Sequence, residues 1–398
     1  MRRYVLLTDE LGAGGISTQV VALASHLHEA GLRPMIVPFY AKPYPIWDHC
    51  REISDLVAPT GLFGAILAGE SREYLFFANS VRTLLVAYLA LLLAPLRRAR
   101  ATIVFCVYNP WEFADKGAWA SIYRRLVLSL RPENLFFMNG SCYREHEAVC
   151  PVGTIGPRFL PLSMPAVSSS RTTPFDPDRK TVLSVGRFVG FKLHYMRALL
   201  RYAQERPQVA FYLVGYGEGE SELKGFASEH GLQNVHFLGM VPYADLQELY
   251  RQADCYVGMG TTLVEASSVG TPAVVAIAGV SGDLCNGLFV DQTEYDMGEF
   301  CPDKPKRPLT ACLDEVLDLG EDDYAALCER HREFARQFER ARVGETFIQL
   351  CEAARPTTVG LRSVGVFLGF CLATVLYYAT WRLRGGKSRY DEEVRAAA

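Results

Sequence analysis

Short apolar runs alternate with longer amphipathic stretches along most of the chain. Tyr4–Leu7 is strand-like, and Ser17–Ala30 carries Val20, Val21, Leu23, Ala24 and Leu27 at helical spacing before Gly31, which suits a left-handed C-cap. Met35–Val37, Thr102–Val107 and Leu135–Met138 supply further strands. Strand–helix–strand at this spacing predicts a parallel sheet with right-handed crossovers. The polar stretch Ser168–Pro174, without periodicity, predicts a linker. A second series then begins, with strands expected at Val182–Val185, Val209–Val214, Val235–Leu238, Cys255–Val257 and Ala273–Ile277, and helices at His194–Glu205 and Ser221–His230. Asp323–Ala354 is charged and helical, and is expected to pack along the domain junction. The predicted class is α/β: two doubly wound Rossmann-like domains, residues 1–167 and 175–355, the second taking in this return helix, with ligands at the carboxyl ends of the strands and in the cleft the domains face.

Two apolar segments do not fit that alternation. Leu84–Leu96 is too short to span a bilayer and contains Pro95, which favours a buried helix over a surface dipping into lipid beside Arg97, Arg98, Arg100, Arg124 and Arg125. Val364–Trp381 is uncharged, bracketed by Arg362 and Arg382, with Tyr377, Tyr378 and Trp381 near one end. That predicts a membrane-associated or transmembrane helix over 361–384, followed by a flexible tail, 385–398.

The composition, 49% hydrophobic and 21% charged over 398 residues, is that of a folded globular chain. A formal net charge of −3 provides no field for a polyanion, so nucleic acid is not an expected partner. The 11 cysteines form no CxxC pair, which argues against a zinc site or disulfide framework and for reduced thiols.

Three loops carry candidate chemistry. Gly12, Gly14 and Gly15 follow the first strand and open a helix, where backbone N–H groups can meet an anion. A nicotinamide dinucleotide loop would need Gly or Ala three positions after Gly14, and Ser17 stands there. Arg187 and Lys192 lie in the loop after the first strand of the second half, where a guanidinium and an ammonium can neutralise a departing diphosphate. Gly260, Thr261 and Thr262 open another helix of that half, with Glu265 about a turn inside, placed to accept both hydroxyls of a ribose. Their alternative reading is solvated surface charge and a helix N-terminal acid.

The runs Val182–Lys192, Phe211–Val257 and Thr261–Ala276, in that order and spacing, resemble the donor domain of family-4 ("group 1") glycosyltransferases of GT-B fold. The resemblance is close over 181–277 and extends loosely to the Gly14–Gly15 loop. It implies retaining transfer of a hexose-type sugar from a nucleotide-diphosphate donor, with neither cofactor nor metal. By match, Arg187 and Lys192 hold the diphosphate and Glu265 the ribose. Gly260, Thr261 and Thr262 face phosphate, backbone near Met240 and Val241 meets the base, and Gly14 and Gly15 let the first-domain loop close over the donor. Two departures stand out. The family often has a glutamate eight positions before the later one, and here that residue is Val257; many members place a histidine after a first-domain strand, and here Phe105–Glu112 has none, leaving Asn109 and Glu112 as candidates. His146 and His194 are expected to be ordinary helix positions.

The expected partners are a nucleotide-sugar donor, a glycan or polyprenyl-linked acceptor, and membrane lipids, in polysaccharide or glycolipid biosynthesis at the cytoplasmic side of the cell membrane. The Lys and Arg excess after Trp381 would draw that tail to the cytosol, so the segment is expected to lie in the interface, re-enter or override the charge rule while the catalytic domains stay cytosolic. The alternatives are a non-catalytic nucleotide-sugar-binding protein and a sugar-nucleotide epimerase.

Overall fold

The computed structural model describes residues 2–12, 15–40, 46–109, 124–149, 151, 156–164, 176, 178, 180–280, 283–302 and 304–357, and beyond these 365, 368, 369 and 372. The chain divides into two compact units, Met1–Ser163 with Val343–Ala398, and Met164–Arg342.

In the first unit six parallel strands, β1 (Arg2–Glu10), β2 (Met35–Tyr40), β3 (Asp55–Leu56), β4 (Glu73–Ala78), β5 (Arg100–Val107) and β6 (Leu135–Phe137), lie in the order β3-β2-β1-β4-β5-β6. The helices are α1 (Gly15–Glu29), α2 (Ile46–Ile53), α3 (Pro59–Ala68), α4 (Val81–Leu93) and α5 (Gly140–Val149). Helix α4 starts where Ser80 and Thr83 cap each other: Thr83 N donates to Ser80 Oγ at 3.2 Å and Ser80 N to Thr83 Oγ1 at 2.8 Å. Leu84, Val86, Ala87, Tyr88, Ala90 and Leu91 are buried, so the apolar run from Leu84 is largely core, with Leu89 partly exposed.

In the second unit seven strands, β7 (Thr181–Val185), β8 (Ala210–Val214), β9 (Val235–Gly239), β10 (Cys255–Gly258), β11 (Ala273–Ala276), β12 (Leu284–Leu288) and β13 (Arg307–Pro308), are ordered β13-β12-β11-β10-β7-β8-β9. The five from β7 to β11 pair in parallel, while β12 and β13 run antiparallel at one edge. Helices α6 (Gly190–Glu205), α7 (Glu220–Glu229), α8 (Tyr243–Gln252), α9 (Thr261–Ser268), α10 (Leu309–Leu317) and α11 (Glu321–Ala335) complete it, and α12 (Arg340–Ala353) follows. Met196, Leu199, Leu200, Leu213, Val257, Val274 and Leu313 belong to its buried core.

The unit boundary differs from the expected one. The stretch from Asp323 forms two helices, and most of the second, α12, belongs to the first unit. Phe347 packs edge-on to Phe77 at 5.4 Å, Arg2 Nη1 donates to Cys351 O at 3.1 Å, and Asn134 exchanges hydrogen bonds of 2.9 Å with both backbone groups of Arg355. Burial of the Phe347 face, invisible in a window dominated by charge, decides where this helix goes. The segment 364–381, expected to be an apolar membrane helix, lies outside the described residues apart from Gly365, Leu368, Gly369 and Leu372, of which Leu368 and Leu372 are exposed. Among the described residues no helix is long and apolar enough to cross a membrane.

Buried histidines give the fold a defined acid sensitivity. His331 in α11 donates from Nδ1 to Leu327 O at 3.0 Å, and burial lowers its pKa to about 4. Because the folded value lies below the unfolded one of about 6.5, the stabilisation is complete above pH 6.5 and drains away as pH falls towards 4. The loss amounts to about 3 kcal/mol. Urea unfolding of His331→Gln between pH 7 and 4 is expected to show a shallower stability slope than the parent; equal slopes would exclude His331 as a source.

Candidate functional site

The second unit gathers most of the sequence-predicted residues at the carboxyl ends of its parallel strands. Strand order reverses between β7, which leads to β8, and its other neighbour β10, and a doubly wound sheet opens a ligand crevice at such a point. Arg187 follows β7 and Gly260–Thr262 follow β10, so the two loops flank the switch point.

The β7 loop is fixed by backbone pairing. Gly186 N donates to Val214 O at 2.9 Å, Phe188 N to Tyr216 O at 2.9 Å and Gly219 N to Phe188 O at 3.0 Å, zipping it onto the loop after β8. Such proximity requires glycine at 215, where φ is 138° and a Cβ would stand 1.9 Å from Gly186 O. Arg187 is exposed, whereas Lys192, in the first turn of α6, is largely buried and folds its ammonium back over the loop; a Cβ on Gly186 would be 2.9 Å from Nζ. Burial, and then the adjacent Arg187 charge, pull the Lys192 ammonium below its usual pKa. Among the described residues neither side chain forms an ion pair or hydrogen bond. Two neighbouring cations without a counterion, one of them desolvated, form a site that an anion stabilises.

Across the switch point, Gly260 adopts φ 75°, donates to Met297 O at 2.8 Å, and starts α9 at Thr261. The buried Tyr256 hydroxyl sits between Val185 O (3.2 Å) and Thr262 Oγ1 (2.6 Å), while Thr262 donates its proton to Met259 O (3.1 Å). This tyrosine ties the end of β7 to the start of α9. Glu265 is buried a turn further in, and Oε2 accepts from Tyr250 OH at 2.8 Å. Val257, eight positions before it, is fully buried within β10 and supplies no substitute carboxylate. Met240, 77% exposed, and Val241 lie beyond the edge strand β9, whose end is anchored by Gly215 N donating to Gly239 O at 2.8 Å. Tyr250 and Tyr256, which brace the site, escaped sequence reasoning because an apolar strand or helix context masks a hydroxyl's partner.

In the first unit Gly15 is the first residue of α1, and Gly14 and Glu112 lie outside the described residues. Asn109 is exposed just after β5. The loop after β1 is pinned by hydroxyls: Thr8 Oγ1 and Ser17 Oγ donate to Glu10 O at 2.9 and 3.1 Å, and Ser17 Oγ accepts from Gly12 N at 3.1 Å. A Cβ on Gly15 would meet only Leu162 Cδ1 at 3.7 Å, so packing does not demand glycine there.

Residues 168–296 match the family model described as Glycosyl transferases group 1. Mannosylfructose-phosphate synthase of Agrobacterium fabrum is 32% identical over a segment covering 34% of this chain and 34% of that protein, so the chain spans about a third of the curated relative it matches. Among solved structures, Anabaena HepE in complex with UDP-glucose aligns with a TM-score of 0.59 and 18% identity, covering 88% of this chain and 98% of HepE. A glycosyltransferase of Rickettsia africae aligns with a TM-score of 0.66 and 12% identity, covering 88% and 97%. The lipopolysaccharide outer core galactosyltransferase WaaB aligns with a TM-score of 0.59 and 15% identity, covering 88% and 99%. At such identities these likenesses show the fold. The chain thus has a GT-B-like architecture of two α/β units, and the stretch holding Arg187, Lys192 and Glu265 is the one that matches the group 1 model.

Proposed function

We propose that the chain is a retaining, metal-independent family-4 glycosyltransferase that moves a sugar from a nucleotide-diphosphate donor to a glycan or lipid-linked acceptor. The unneutralised Arg187–Lys192 pair at the β7/β10 switch point carries this reading. A nucleoside diphosphate supplies the missing anion, and UDP-glucose in the structure of HepE, which shares the fold, supports that ligand class. In the proposed reaction the bond between the anomeric carbon and the diphosphate oxygen breaks, and a bond to the acceptor oxygen forms on the same face. The acceptor's proton passes to the departing diphosphate. Charge grows on that leaving group in the transition state, where Arg187 and Lys192 act most strongly. Glu265, oriented by Tyr250, would hold the ribose, and the opening of α9 would direct Thr261 and Thr262 towards phosphate.

Incubating the full chain with UDP-, GDP- and dTDP-sugars and a membrane extract is expected to yield transfer from one donor. Donor binding without turnover would reduce the reading to a binding protein, and an altered donor sugar without acceptor would indicate epimerisation. Attachment at the cytosolic face of a membrane through 364–381 is part of the proposal, supported by the uncharged run itself. Ending the chain at Arg355 is expected to move it from the membrane to the soluble fraction; an unchanged distribution would remove this element.

A further inference from the structure

Two thiols of the second unit meet where β12 packs against α10. Cys285 in β12 donates its proton to the sulfur of Cys312, in the first turn of α10, at 3.4 Å. Both side chains are fully buried. Gly287 N donates to Cys285 Sγ, also at 3.4 Å. Arg307, which pairs with Cys285 across β12 and β13, runs past Gly287, where an added Cβ would stand 3.5 Å from Arg307 Cδ. The hydrogen bond from Cys285 outweighs burial and, with the Arg307 charge, holds the Cys312 thiol below its usual pKa. Burial pushes the thiols of Cys50, Cys106, Cys255 and Cys351 the other way. Thiolate character is therefore favoured at Cys312, with a second sulfur already in contact.

We infer that Cys285 and Cys312 form an oxidative modification site, which a small hydroperoxide converts to a disulfide. The Cys312 thiolate attacks a peroxide oxygen, the O–O bond breaks, and a sulfenic acid and hydroxide form. The Cys285 sulfur then displaces the sulfenic oxygen, the S–S bond forms, and the Cys285 proton leaves with that oxygen as water. In sum the two thiols give up two electrons and two protons, and the peroxide is reduced to two waters. Access comes through β13, a strand of 2 residues at the end of the sheet, whose Pro308 is exposed, so local fraying there uncovers the sulfurs. The new bond ties together the two ends of the segment between the cysteines. That segment carries Met297, whose carbonyl accepts from Gly260 N at 2.8 Å, and Gly298, whose carbonyl accepts from Ala278 N at 2.9 Å. The crosslink thus locks the brace of the α9 turn against unfolding.

The test treats the full chain with stoichiometric hydrogen peroxide and maps its unreduced peptides by mass spectrometry. A linked Cys285–Cys312 peptide is expected, two hydrogens lighter than the separate thiols. The oxidised chain is expected to melt roughly 5 °C above the reduced one, and dithiothreitol to reverse the shift. Cys285→Ala is expected to remove both the linked peptide and the shift, and to leave a sulfenic acid at Cys312 that dimedone captures. Where that variant does not fold, the parent's own peptide map and melting shift decide. A disulfide between other cysteines, no disulfide after peroxide, or linkage without a rise in melting temperature would overturn the inference. None of these readouts involves a sugar nucleotide, so the glycosyltransferase reading stands or falls separately.

Discussion

Replacing Arg187 and Lys192 together by alanine is expected to lower kcat/KM for sugar transfer by at least about a thousandfold, the scale of losing preorganised charge stabilisation of a leaving group. The two contributions should be unequal. Arg187 is exposed, so water and salt screen it, and Arg187→Ala alone should cost about tenfold, mostly in KM. Lys192 is largely buried, and a charge in that setting acts through a low dielectric, so Lys192→Ala should cost about a hundredfold or more in kcat. Lys192→Met separates chemistry from folding. It removes a desolvated, unpaired ammonium, and it should lower kcat as far as Lys192→Ala does while raising stability by about 1 kcal/mol. Steady-state kinetics with the preferred donor and urea unfolding of the same samples check both halves. Wild-type turnover in the double variant would dismiss the proposed role of the cation pair.

How legible this arrangement is from sequence depends on the range of the signal. Arg187 and Lys192 are local: a strand ends, glycines follow, and the cations come next, so spacing alone places them at the carboxyl edge of a parallel sheet, although only Arg187 lies in the loop and Lys192 is already in the first turn of α6. The strands from Val182 to Ile277 are equally local, being short apolar runs between amphipathic helices. Strand β4 was missed because Glu73–Ala78 lacks the alternation of a half-exposed strand; it is flanked by β1 and β5, and Tyr74–Ala78 are all buried. The return of α12 to the first unit depends on Phe347 meeting Phe77, a contact 270 positions apart that no window contains. A cavity between β1, β2 and β4 is hidden for the same reason: Asp9, Tyr40 and Arg82 become neighbours only once the order β2-β1-β4 is known. Sequence period reports which face is buried, and topology decides whose face it meets.

The second large effect concerns the scaffold that presents the cations. Gly215→Ala is expected to destabilise the second unit by roughly 3 to 5 kcal/mol, combining a backbone conformation foreign to L side chains with an overlap no rotamer relieves. The obstructing atom is the Gly186 carbonyl oxygen, 1.9 Å from the added carbon, part of the turn that carries Arg187. Relief requires the loops after β7 and β8 to part, which breaks the 2.9 Å bond from Gly186 N to Val214 O and the matching bond from Phe188 N to Tyr216 O. The damage should therefore appear as weaker nucleotide binding even at temperatures where the variant remains folded. Gly225→Ala is the matched control: it lies exposed within helix α7, a Cβ there meets nothing within 4 Å, and alanine should stabilise by about 0.5 to 1 kcal/mol. Urea unfolding that finds the two substitutions equivalent would show that the loops are not locked together as the Gly186–Gly215 contact requires.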